Sequence, residues 1–320
     1  MSDHGDGEFL ERALALVRAA PGRAYPKPTV GAVVVSGGEV VGEGVTEPGG
    51  RHGEVVALDA AGEAARGSSL YVTMEPCAHW GTTPPCTERA LEAGVARVVA
   101  GSLDPNPEAA GGLERLGAAG VETRLVDSFE ARAQNEAWRT WVSKGRPFVT
   151  YKLAVTLDGG TSVPGERWVS DEQSRRLVHE LRAASDAVAV GMGTVRADAP
   201  RLDARDVPTP RGQPRRLAFG SGPLPAGSEL ELRSGALADE LSALAGDGVQ
   251  SLLLEGGPTL AGAFFAAALI DRVMVFVAPR LGGAGPVGLA TRLASPQPLS
   301  HLTARRVGDD VLFEAYVHNP

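Results

Sequence analysis

The chain has 320 residues, of which 43% are hydrophobic and 22% are charged, and its formal net charge is −8. This length exceeds what one hydrophobic core usually serves, so we expect two domains of roughly 150 residues each. The negative charge argues against a surface that coats nucleic acid, and no apolar run is long enough to cross a bilayer. We therefore expect a globular protein that works in the cytoplasm.

The first half alternates between strand and helix patterns. Residues 8–20 have the pattern of an amphipathic helix and not of a signal peptide. The run "VGAVVVSGGEVVGEGV" at 30–45 predicts a β-hairpin with its turn at 36–38, and a helix pattern begins at Glu54. The strand "SSLYVTMEP", a cysteine-bearing loop, the helix "CTERALEAG" and the strand "ARVVAGSLDPNP" follow. This order predicts a three-layer α/β domain.

The second half begins near "KGRPFVTYKLAVTLDGG", where Gly145 and Pro147 mark the expected junction. The run "SDEQSRRLVHELRAASD" predicts a helix in which Ser170 and Gln173 stand at capping-box spacing. The strands "AVAVG" and "SLLLEGG" each lead into a helix pattern, and "DRVMVFVAP" and "VLFEAYV" supply late strands. A second α/β domain is the prediction.

Two glycine-rich turns in this half bear on cofactor binding. Gly191 and Gly193 follow a strand, but Arg196 occupies the third glycine position, so we do not expect a Rossmann dinucleotide site. The run "EGGPTLAG" instead places two glycines between a strand and a helix, where backbone N–H groups can approach a pyrophosphate. A plain tight turn is the alternative.

The two cysteines of the chain, Cys77 and Cys86, lie close together in "MEPCAHWGTTPPC". In a cytosolic protein such a pair is more often a metal or catalytic feature than a disulfide, and two unrelated buried thiols are the alternative. A catalytic zinc ion typically takes three protein ligands, and His52 in "RHGEVVALDA" supplies the third. Glu54 is placed to take a proton from a zinc-activated water, as in zinc deaminases.

The same three ligands also occur in other kinds of zinc protein, and two of these are alternatives here. A structural zinc or scaffold module usually completes four protein ligands and has no need of a carboxylate beside an open position, so Glu54 argues against it. A nucleic-acid editor would share the zinc chemistry, but the acidic balance and the second half disfavour it. A hydrolytic deaminase is the prediction from the residues alone.

The cysteine spacing departs from the general deaminase signature, because eight residues separate the thiols where that signature has two. The segment "YVTMEPCAHWGTTPPC" resembles the bifunctional riboflavin-biosynthesis deaminase/reductase family. The segments "KPTVGAVVV", "DPNP", "GRPFVTYKLAVTLDG", "VGMGTVRADAPRL" and "LLLEGGPTLAG" resemble it in the family's order, over nearly the whole chain. The resemblance implies a cytidine-deaminase-like three-layer αβα domain at 1–145 and a dihydrofolate-reductase-like α/β domain at 146–320.

The resemblance also implies two reactions. The first is zinc-dependent deamination of 2,5-diamino-6-(ribosylamino)-4(3H)-pyrimidinone 5′-phosphate, and the second is NADPH-dependent reduction of the ribosyl chain to ribityl. One Zn²⁺ per chain and NADPH are the expected cofactors. We expect a small phosphorylated pyrimidine as the partner, neither nucleic acid nor membrane, and a homo-oligomer. A paralogue acting on a related pyrimidine or pteridine precursor is the alternative.

Individual residues match the family's site positions. In the first domain, His52, Cys77 and Cys86 match zinc ligands, Glu54 matches the proton shuttle, and Asp104 and Asn106 match a substrate-binding loop, with a plain turn as the alternative for "DPNP". In the second domain, the cofactor contacts match Ala154, Trp168, Thr194, Asp198, Gly257, Pro258, Thr259, Leu260, Ala261, Gly262 and Ala263. The substrate-facing positions match Lys152, Leu202, Arg205 and Glu255.

Three positions depart from the family. Lys27 stands where an asparagine amide is usual, Thr82 where a basic residue is common, and Gly53 where alanine is usual. Our hypothesis is that Lys27 or Arg51 takes over part of the phosphate or base recognition. A changed substrate is the alternative.

Overall fold

The structure, a computed structural model, describes residues 3–20, 22, 24–81, 84–285 and 296–320. The chain forms two compact units that meet in the sequence between Ser143 and Lys144. Among the described residues, no helix combines the length and apolar character that a membrane span requires. We call the two parts the N-terminal unit and the C-terminal unit.

The N-terminal unit is built on one mixed five-stranded sheet. Its strands are β1 (Gly31–Ser36), β2 (Glu39–Val45), β3 (Ser69–Val72), β4 (Arg97–Ala100) and β5 (Glu122–Leu125). Their order is β2-β1-β3-β4-β5, with β1 antiparallel to both neighbours and β3, β4 and β5 parallel. The helices are α1 (Asp3–Arg18), α2 (Gly53–Ala61), α3 (Cys86–Ala93), α4 (Gly112–Ala118), α5 (Phe129–Ala133) and α6 (Glu136–Lys144).

Both faces of this sheet are covered by helices. Because side chains alternate along a strand, Val34 and Leu70 pack with Leu58 of α2 on one face. Val33 and Tyr71, one residue along each strand, pack with α1 on the other face. The predicted hairpin and the predicted three-layer αβα architecture are confirmed.

Glycines bring α2 close to the sheet. A Cβ atom on Gly42 would lie 2.3 Å from the Ala57 carbonyl oxygen, and one on Gly44 would lie 2.2 Å from that of Gly53. There is no room for a methyl group at position 53 either, because a Cβ atom on Gly53 would lie 2.3 Å from the Val30 carbonyl oxygen. Because these three positions lack a side chain, α2 can pack this close to the sheet. The close packing explains why position 53 is a glycine.

The C-terminal unit is built on an eight-stranded sheet in the order β12-β13-β11-β6-β10-β7-β8-β9. Its strands are β6 (Phe148–Thr156), β7 (Ala187–Gly191), β8 (Arg215–Phe219), β9 (Glu231–Arg233), β10 (Ser251–Leu254), β11 (Arg272–Ala278), β12 (Ser300–Val307) and β13 (Asp310–Tyr316). Six strands from β11 to β9 are parallel, and β13 and β12 extend them in antiparallel fashion. The helices are α7 (Glu172–Ala184), α8 (Met192–Asp198), α9 (Leu237–Gly246) and α10 (Pro258–Ala266).

The central strands are apolar on both faces because helices cover both. Leu252 and Leu254 of β10 belong to one core cluster, with Leu241 of α9 and Phe264 of α10. Leu253, which points to the other face, packs in a second cluster that includes α8. The predicted α/β class of this half is confirmed.

The predicted capping box of α7 is wrong by one residue. Asp171, not Ser170, is the N-cap, and its Oδ1 accepts a hydrogen bond of 2.7 Å from the Ser174 N–H. The other carboxylate oxygen of Asp171 accepts a hydrogen bond of 2.7 Å from the Asp309 N–H. Because the aspartate satisfies donors on both sides, it takes the cap position in preference to the serine.

Asp271 is a buried anchor of the C-terminal unit. Its carboxylate, 1% exposed, accepts hydrogen bonds of 2.6 and 2.7 Å from Arg146 and one of 2.9 Å from the Val149 N–H. Burial acts to raise the pKa of Asp271, but these hydrogen bonds outweigh it and hold the pKa at about 2. The interaction therefore stabilises the fold above the unfolded pKa of about 3.9, and this stability is lost as pH falls through the folded value.

We expect Asp271→Asn to lower the free energy of unfolding by about 3–5 kcal/mol at neutral pH, because it leaves Arg146 without its charged partner. Denaturant titrations at neutral pH and at about pH 3 should show the difference between variant and wild type shrinking on acidification. Asp309→Asn is the matched control, since the Asp309 side chain is 85% exposed. A loss below about 1 kcal/mol for Asp271→Asn would contradict the anchoring role.

Candidate functional site

Three side chains with metal-ligating atoms converge in the N-terminal unit. His52 is the N-cap residue of α2, Cys77 lies in the loop after β3, and Cys86 is the first residue of α3. Their ligand atoms all lie within 4.8 Å of one another. His52 Nδ1 is 3.1 Å from Cys86 Sγ and 3.7 Å from Cys77 Sγ. The two helix beginnings and the loop thus bring the three predicted zinc ligands together.

The geometry of this cluster fits zinc. Tetrahedral bonds of about 2.0 Å to nitrogen and about 2.3 Å to sulfur separate those two atoms by about 3.5 Å, and the observed distances bracket that value. The Cys86 N–H also donates a hydrogen bond of 3.3 Å to Cys77 Sγ. Hydrogen bonding from the Cys86 thiol lowers the pKa of Cys77, whereas the same contact raises the pKa of Cys86. The donor set of one imidazole and two buried thiols is that of a three-ligand catalytic zinc site.

Glu54 lies in the first turn of α2, beside this cluster, and is 3% exposed. Its Oε2 atom is buried and has no hydrogen-bond partner among the described residues. Burial raises the pKa of the Glu54 carboxyl, because the charged form loses its hydration. A buried carboxylate oxygen without a partner, next to three metal-ligating atoms, is placed to exchange protons with a molecule bound there.

A cavity of about 280 Å³ opens over the cluster. His52, Glu54 and Cys77 line it, together with Asp104 and Asn106 of the "DPNP" loop. Its size suits a single heterocycle better than a polymer. The structure therefore places both predicted substrate-binding residues of this half at the same cavity as the predicted zinc ligands His52 and Cys77.

The "DPNP" loop is also a turn. Asp104 Oδ1 accepts a hydrogen bond of 2.8 Å from the Asn106 N–H, and Asn106 Oδ1 accepts one of 3.2 Å from the Glu108 N–H. Burial raises the pKa of Asp104 to about 6. The loop is therefore a turn whose hydrogen bonds fix Asp104 and Asn106 at the cavity wall, and substrate binding by these two residues stays a prediction.

The residues involved in the departures from the family differ in their position relative to the cavity. Lys27 lines it, whereas Arg51 is absent from the described lining and bonds to Asp59 at 2.6 Å. Thr82 lies outside the described residues. Of the two residues in our recognition hypothesis, Lys27 is therefore the one that reaches the cavity.

Glu75 supports the cysteine loop, and sequence reasoning missed it. It is 4% exposed, and its carboxylate accepts hydrogen bonds of 2.9 Å from the Leu113 N–H and 3.3 Å from the Asp104 N–H. Glu75 thereby connects the end of β3 to α4 and to the "DPNP" loop. A carboxylate two residues before Cys77 was the only local signal.

The start of α4 packs against the same loop without space to spare. A Cβ atom on Gly112 would lie 1.8 Å from the carbonyl oxygen of Pro76, the residue before Cys77.

We expect Gly112→Ala to shift Cys77 and to weaken zinc retention about tenfold or more, since overpacking of this kind costs about 1–3 kcal/mol. Zinc content measured against a competing chelator tests this. Gly117→Ala is the control, because its nearest atom is Thr123 Oγ1 at 3.6 Å, and equal zinc affinities of the two variants would contradict the expectation.

A second group of charged residues lies in the C-terminal unit, where β6 and β10 run side by side. Lys152 is on β6, and Glu255 directly follows β10. Arg182 of α7 donates to both Glu255 oxygens, at 2.6 and 3.0 Å. Burial acts to raise the pKa of Glu255, but the hydrogen bonds from Arg182 outweigh burial and lower this pKa. For Lys152, burial lowers the pKa. Of the two predicted substrate-facing residues, Glu255 is thus held by Arg182, a charge that sequence reasoning missed.

The loop that carries the other predicted substrate residues is tied to the same helix. Arg182 Nη1 donates a hydrogen bond of 3.1 Å to the Asp203 carbonyl oxygen, and His179 Nδ1 accepts one of 3.2 Å from the Arg205 N–H. Leu202 is 2% exposed at a φ of 58°, so packing holds it in a left-handed conformation. His179 and Arg182 are three residues apart on one face of α7, a spacing that could have signalled their shared role.

Apart from Trp168, the predicted cofactor positions lie on three segments. Ala154 is on β6, Thr194 and Asp198 are on α8, and Gly257 is the N-cap of α10. A Cβ atom on Gly257 would lie 3.6 Å from Thr194 Oγ1, so the N-terminal ends of α8 and α10 lie next to each other. The positions from 258 to 263 lie within α10 as Pro258, Thr259, Leu260, Ala261, Gly262 and Ala263, of which Ala261 and Gly262 are buried.

Trp168 lies apart from these helix beginnings in sequence and is 49% exposed. The guanidinium carbons of Arg167 and Arg175 lie 4.9 and 5.6 Å from its ring centroid. Among the described residues, no side chain caps the α10 N-terminus at Gly257, which suits a pyrophosphate, and the exposed ring of Trp168 is of the type that suits a flat ring system. The residues present therefore fit NADPH.

Comparisons with known proteins cover both units. The cytidine and deoxycytidylate deaminase zinc-binding region matches residues 4–102, and the RibD C-terminal domain matches residues 147–313. The riboflavin biosynthesis protein RibD of Mycobacterium tuberculosis is 44% identical over 283 residues, which are 83% of this chain and 82% of that protein. RibD of Escherichia coli is 36% identical and covers 96% of this chain and 98% of its own length.

Solved structures agree with these relatives. Acinetobacter baumannii RibD is 30% identical with a TM-score of 0.84, covering 98% of this chain and 99% of its own. A diaminohydroxyphosphoribosylaminopyrimidine deaminase/5-amino-6-(5-phosphoribosylamino)uracil reductase from Thermotoga maritima is 32% identical with a TM-score of 0.81 and the same coverage.

Proposed function

Because this chain belongs to the RibD family of riboflavin biosynthesis proteins, we propose that it carries out two successive reactions. The first deaminates 2,5-diamino-6-(ribosylamino)-4(3H)-pyrimidinone 5′-phosphate, and the second reduces the ribosyl chain of the product to ribityl. The cluster of His52, Cys77 and Cys86, with the buried Glu54 oxygen beside it, carries the proposal. A paralogue with another substrate is not favoured, because the similarity to RibD extends over both units.

We assign deamination to residues 1–145 and reduction to residues 146–320. The division into compact units between Ser143 and Lys144 supports this assignment. The deaminase model matches only within the first part and the RibD C-terminal model only within the second, which supports it further.

In the deamination, His52, Cys77 and Cys86 hold zinc, which when bound makes a water molecule acidic enough to act as the nucleophile. Glu54 would take one proton from that water at Oε2 and pass it to the neighbouring ring nitrogen as the oxygen bonds to the ring carbon. It would then move the remaining hydroxyl proton to the amine nitrogen, so that the C–N bond breaks, ammonia leaves and the oxygen becomes the carbonyl. Asp104 and Asn106 hold the heterocycle in the cavity. Glu54 is the one catalytic residue that moves protons in this scheme.

In the reduction, NADPH when bound supplies the hydride. The α10 beginning at Gly257 holds the pyrophosphate with backbone N–H groups, and Trp168 supports the cofactor from its exposed face. Arg205 clamps the substrate phosphate, since a guanidinium binds phosphate bidentately. Lys152 and Glu255 orient the open imine form of the ribosyl chain. Its C1 would receive the hydride as the C1–N double bond becomes a single bond, and its nitrogen would take a proton from solvent.

We also propose that the enzyme acts in the cytoplasm as a homo-oligomer. Phosphorylated pyrimidines and NADPH do not cross membranes unaided, which supports the location. The terminal strand β12 presents an exposed side, with Leu302 65% exposed, and such an edge can pair with a second copy. Sedimentation of the purified protein would test the assembly, and a monomer across the micromolar range would overturn it.

Mass spectrometry tests the two reactions together. The zinc-loaded protein is incubated with the diaminopyrimidinone ribosyl phosphate, with and without NADPH. We expect an amine to be replaced by oxygen without NADPH, and a further gain of two hydrogens with it. If neither change occurs while zinc and NADPH are bound, the substrate assignment is wrong.

A further inference from the structure

We infer that Lys27 binds the 5′-phosphate of the deaminase substrate and so sets the preference of this site for a phosphorylated compound. The inference rests on the proposed function, and it names a specificity-determining residue of that site. Three observations carry it: the charge of the cavity, the position of Lys27 at the cavity, and the rigid segment that bears it.

The charge of the cavity makes a cation necessary. Glu54, Glu75 and Asp104 line it, and all three are largely buried. A phosphate that enters between carboxylates meets electrostatic repulsion that falls off slowly in a partly dehydrated site. Among the described lining residues, Lys27 is the only lysine or arginine, so it is the lining side chain that carries a full positive charge at neutral pH and can neutralise a phosphate there.

The position of Lys27 suits the tail of the substrate and not its ring. Glu54 and Asp104 are 3% and 8% exposed, whereas Lys27 is exposed to solvent. The heterocycle must reach the buried Glu54 to react, so the ribose phosphate is left nearer to solvent. An ammonium group on a flexible four-carbon chain at the rim can follow a phosphate there as a point charge.

The segment that bears Lys27 is fixed on both sides of the residue. The Lys27 N–H donates a hydrogen bond of 2.9 Å to the Ala24 carbonyl oxygen. Two residues later, Thr29 exchanges hydrogen bonds of 2.9 Å in both directions with the buried Asn135. The backbone therefore holds the start of the side chain at the cavity, and only the side chain itself must be ordered when the substrate binds.

The nearby cation Arg51 serves as the matched control. It precedes His52 in sequence, but its guanidinium is occupied by Asp59 at 2.6 Å and Glu47 at 3.6 Å, and it is not among the described residues of the lining. Removing either positive charge changes the net charge of the protein equally. Only the removal of Lys27 takes the charge away from the cavity.

The test uses the zinc-loaded full chain with Lys27→Gln, Lys27→Arg and Arg51→Gln. Each variant is given the diaminopyrimidinone ribosyl phosphate and, separately, the same compound without its phosphate. We expect Lys27→Gln to raise the KM for the phosphorylated compound about 10- to 100-fold more than it raises the KM for the dephosphorylated compound. This factor corresponds to the free energy that a hydrogen bond to a charged group usually contributes. Lys27→Arg should restore most of the preference, and Arg51→Gln should keep all of it.

An equal rise of KM for both compounds would overturn the inference, because Lys27 would then contact the ring or the ribose. An unchanged preference in Lys27→Gln would overturn it as well. If the wild type turns over neither compound, the proposed function fails, and calorimetric titration of the phosphorylated compound decides the inference separately. Weaker binding to Lys27→Gln than to Arg51→Gln would then support it, and equal binding would overturn it.

Discussion

Replacing Glu54 with glutamine is expected to abolish deamination while zinc stays bound. Glutamine has the shape of glutamate and fills the same buried position, but its amide cannot accept a proton from water. Removal of a general acid–base group typically lowers the rate by about 10²–10⁴-fold. The ligand atoms of His52, Cys77 and Cys86 are unchanged by the substitution, so the metal content should be unchanged too. Zinc content per chain and the rate of ammonia release give the two measurements.

Glu63→Gln is the control for this substitution. Glu63 lies in the short helical turn that follows α2, and its side chain is exposed. It should deaminate and hold zinc as the wild type does. Loss of zinc in Glu54→Gln would indicate a structural carboxylate, and deamination within tenfold of the wild type would remove Glu54 from the proton-transfer role. The experiment therefore separates a catalytic zinc site from a scaffold module.

The N-terminal site was predictable to the extent that its chemistry is local in sequence. His52 and Glu54 are two residues apart at the start of a helix, and Cys86 opens the next helix, so the helix signals themselves placed them. Glu75 could not be found in this way. Its carboxylate binds the Leu113 N–H, 38 positions away, and only the folded sheet brings the two together.

The C-terminal unit shows the same limit. The strand and helix patterns were sufficient for its α/β class, because buried parallel strands and amphipathic helices carry strong periodic signals. The cap of α7 was misplaced, since the choice of Asp171 over Ser170 depends on a backbone contact 138 positions away. Arg182 was missed for the same reason: its partner Glu255 is 73 positions distant. Local patterns predict elements, whereas charge partners depend on the tertiary structure.

We expect Arg182→Met to lose most of the reductase activity. Arg182 and Glu255 are 13% and 11% exposed, so the substitution leaves a carboxylate buried without its bidentate partner. Truncating one member of such a pair costs about 2–5 kcal/mol, and we expect the reductase kcat/KM to fall about 100-fold or more. The loop at Asp203 also loses a hydrogen bond, which loosens the segment carrying Arg205. NADPH oxidation with the deaminated substrate measures the effect.

Arg176→Met is the control on the same helix, because Arg176 is 73% exposed and pairs only loosely with Glu180 at 3.5 Å. Its reductase rate should match that of the wild type. In the double variant with Glu255→Gln, the loss should be no greater than that of the worse single variant, since the two side chains act as one unit. Losses that multiply would show that Arg182 and Glu255 contribute independently. In that case Arg182 would contact the substrate itself instead of positioning Glu255 and the loop that carries Leu202 and Arg205.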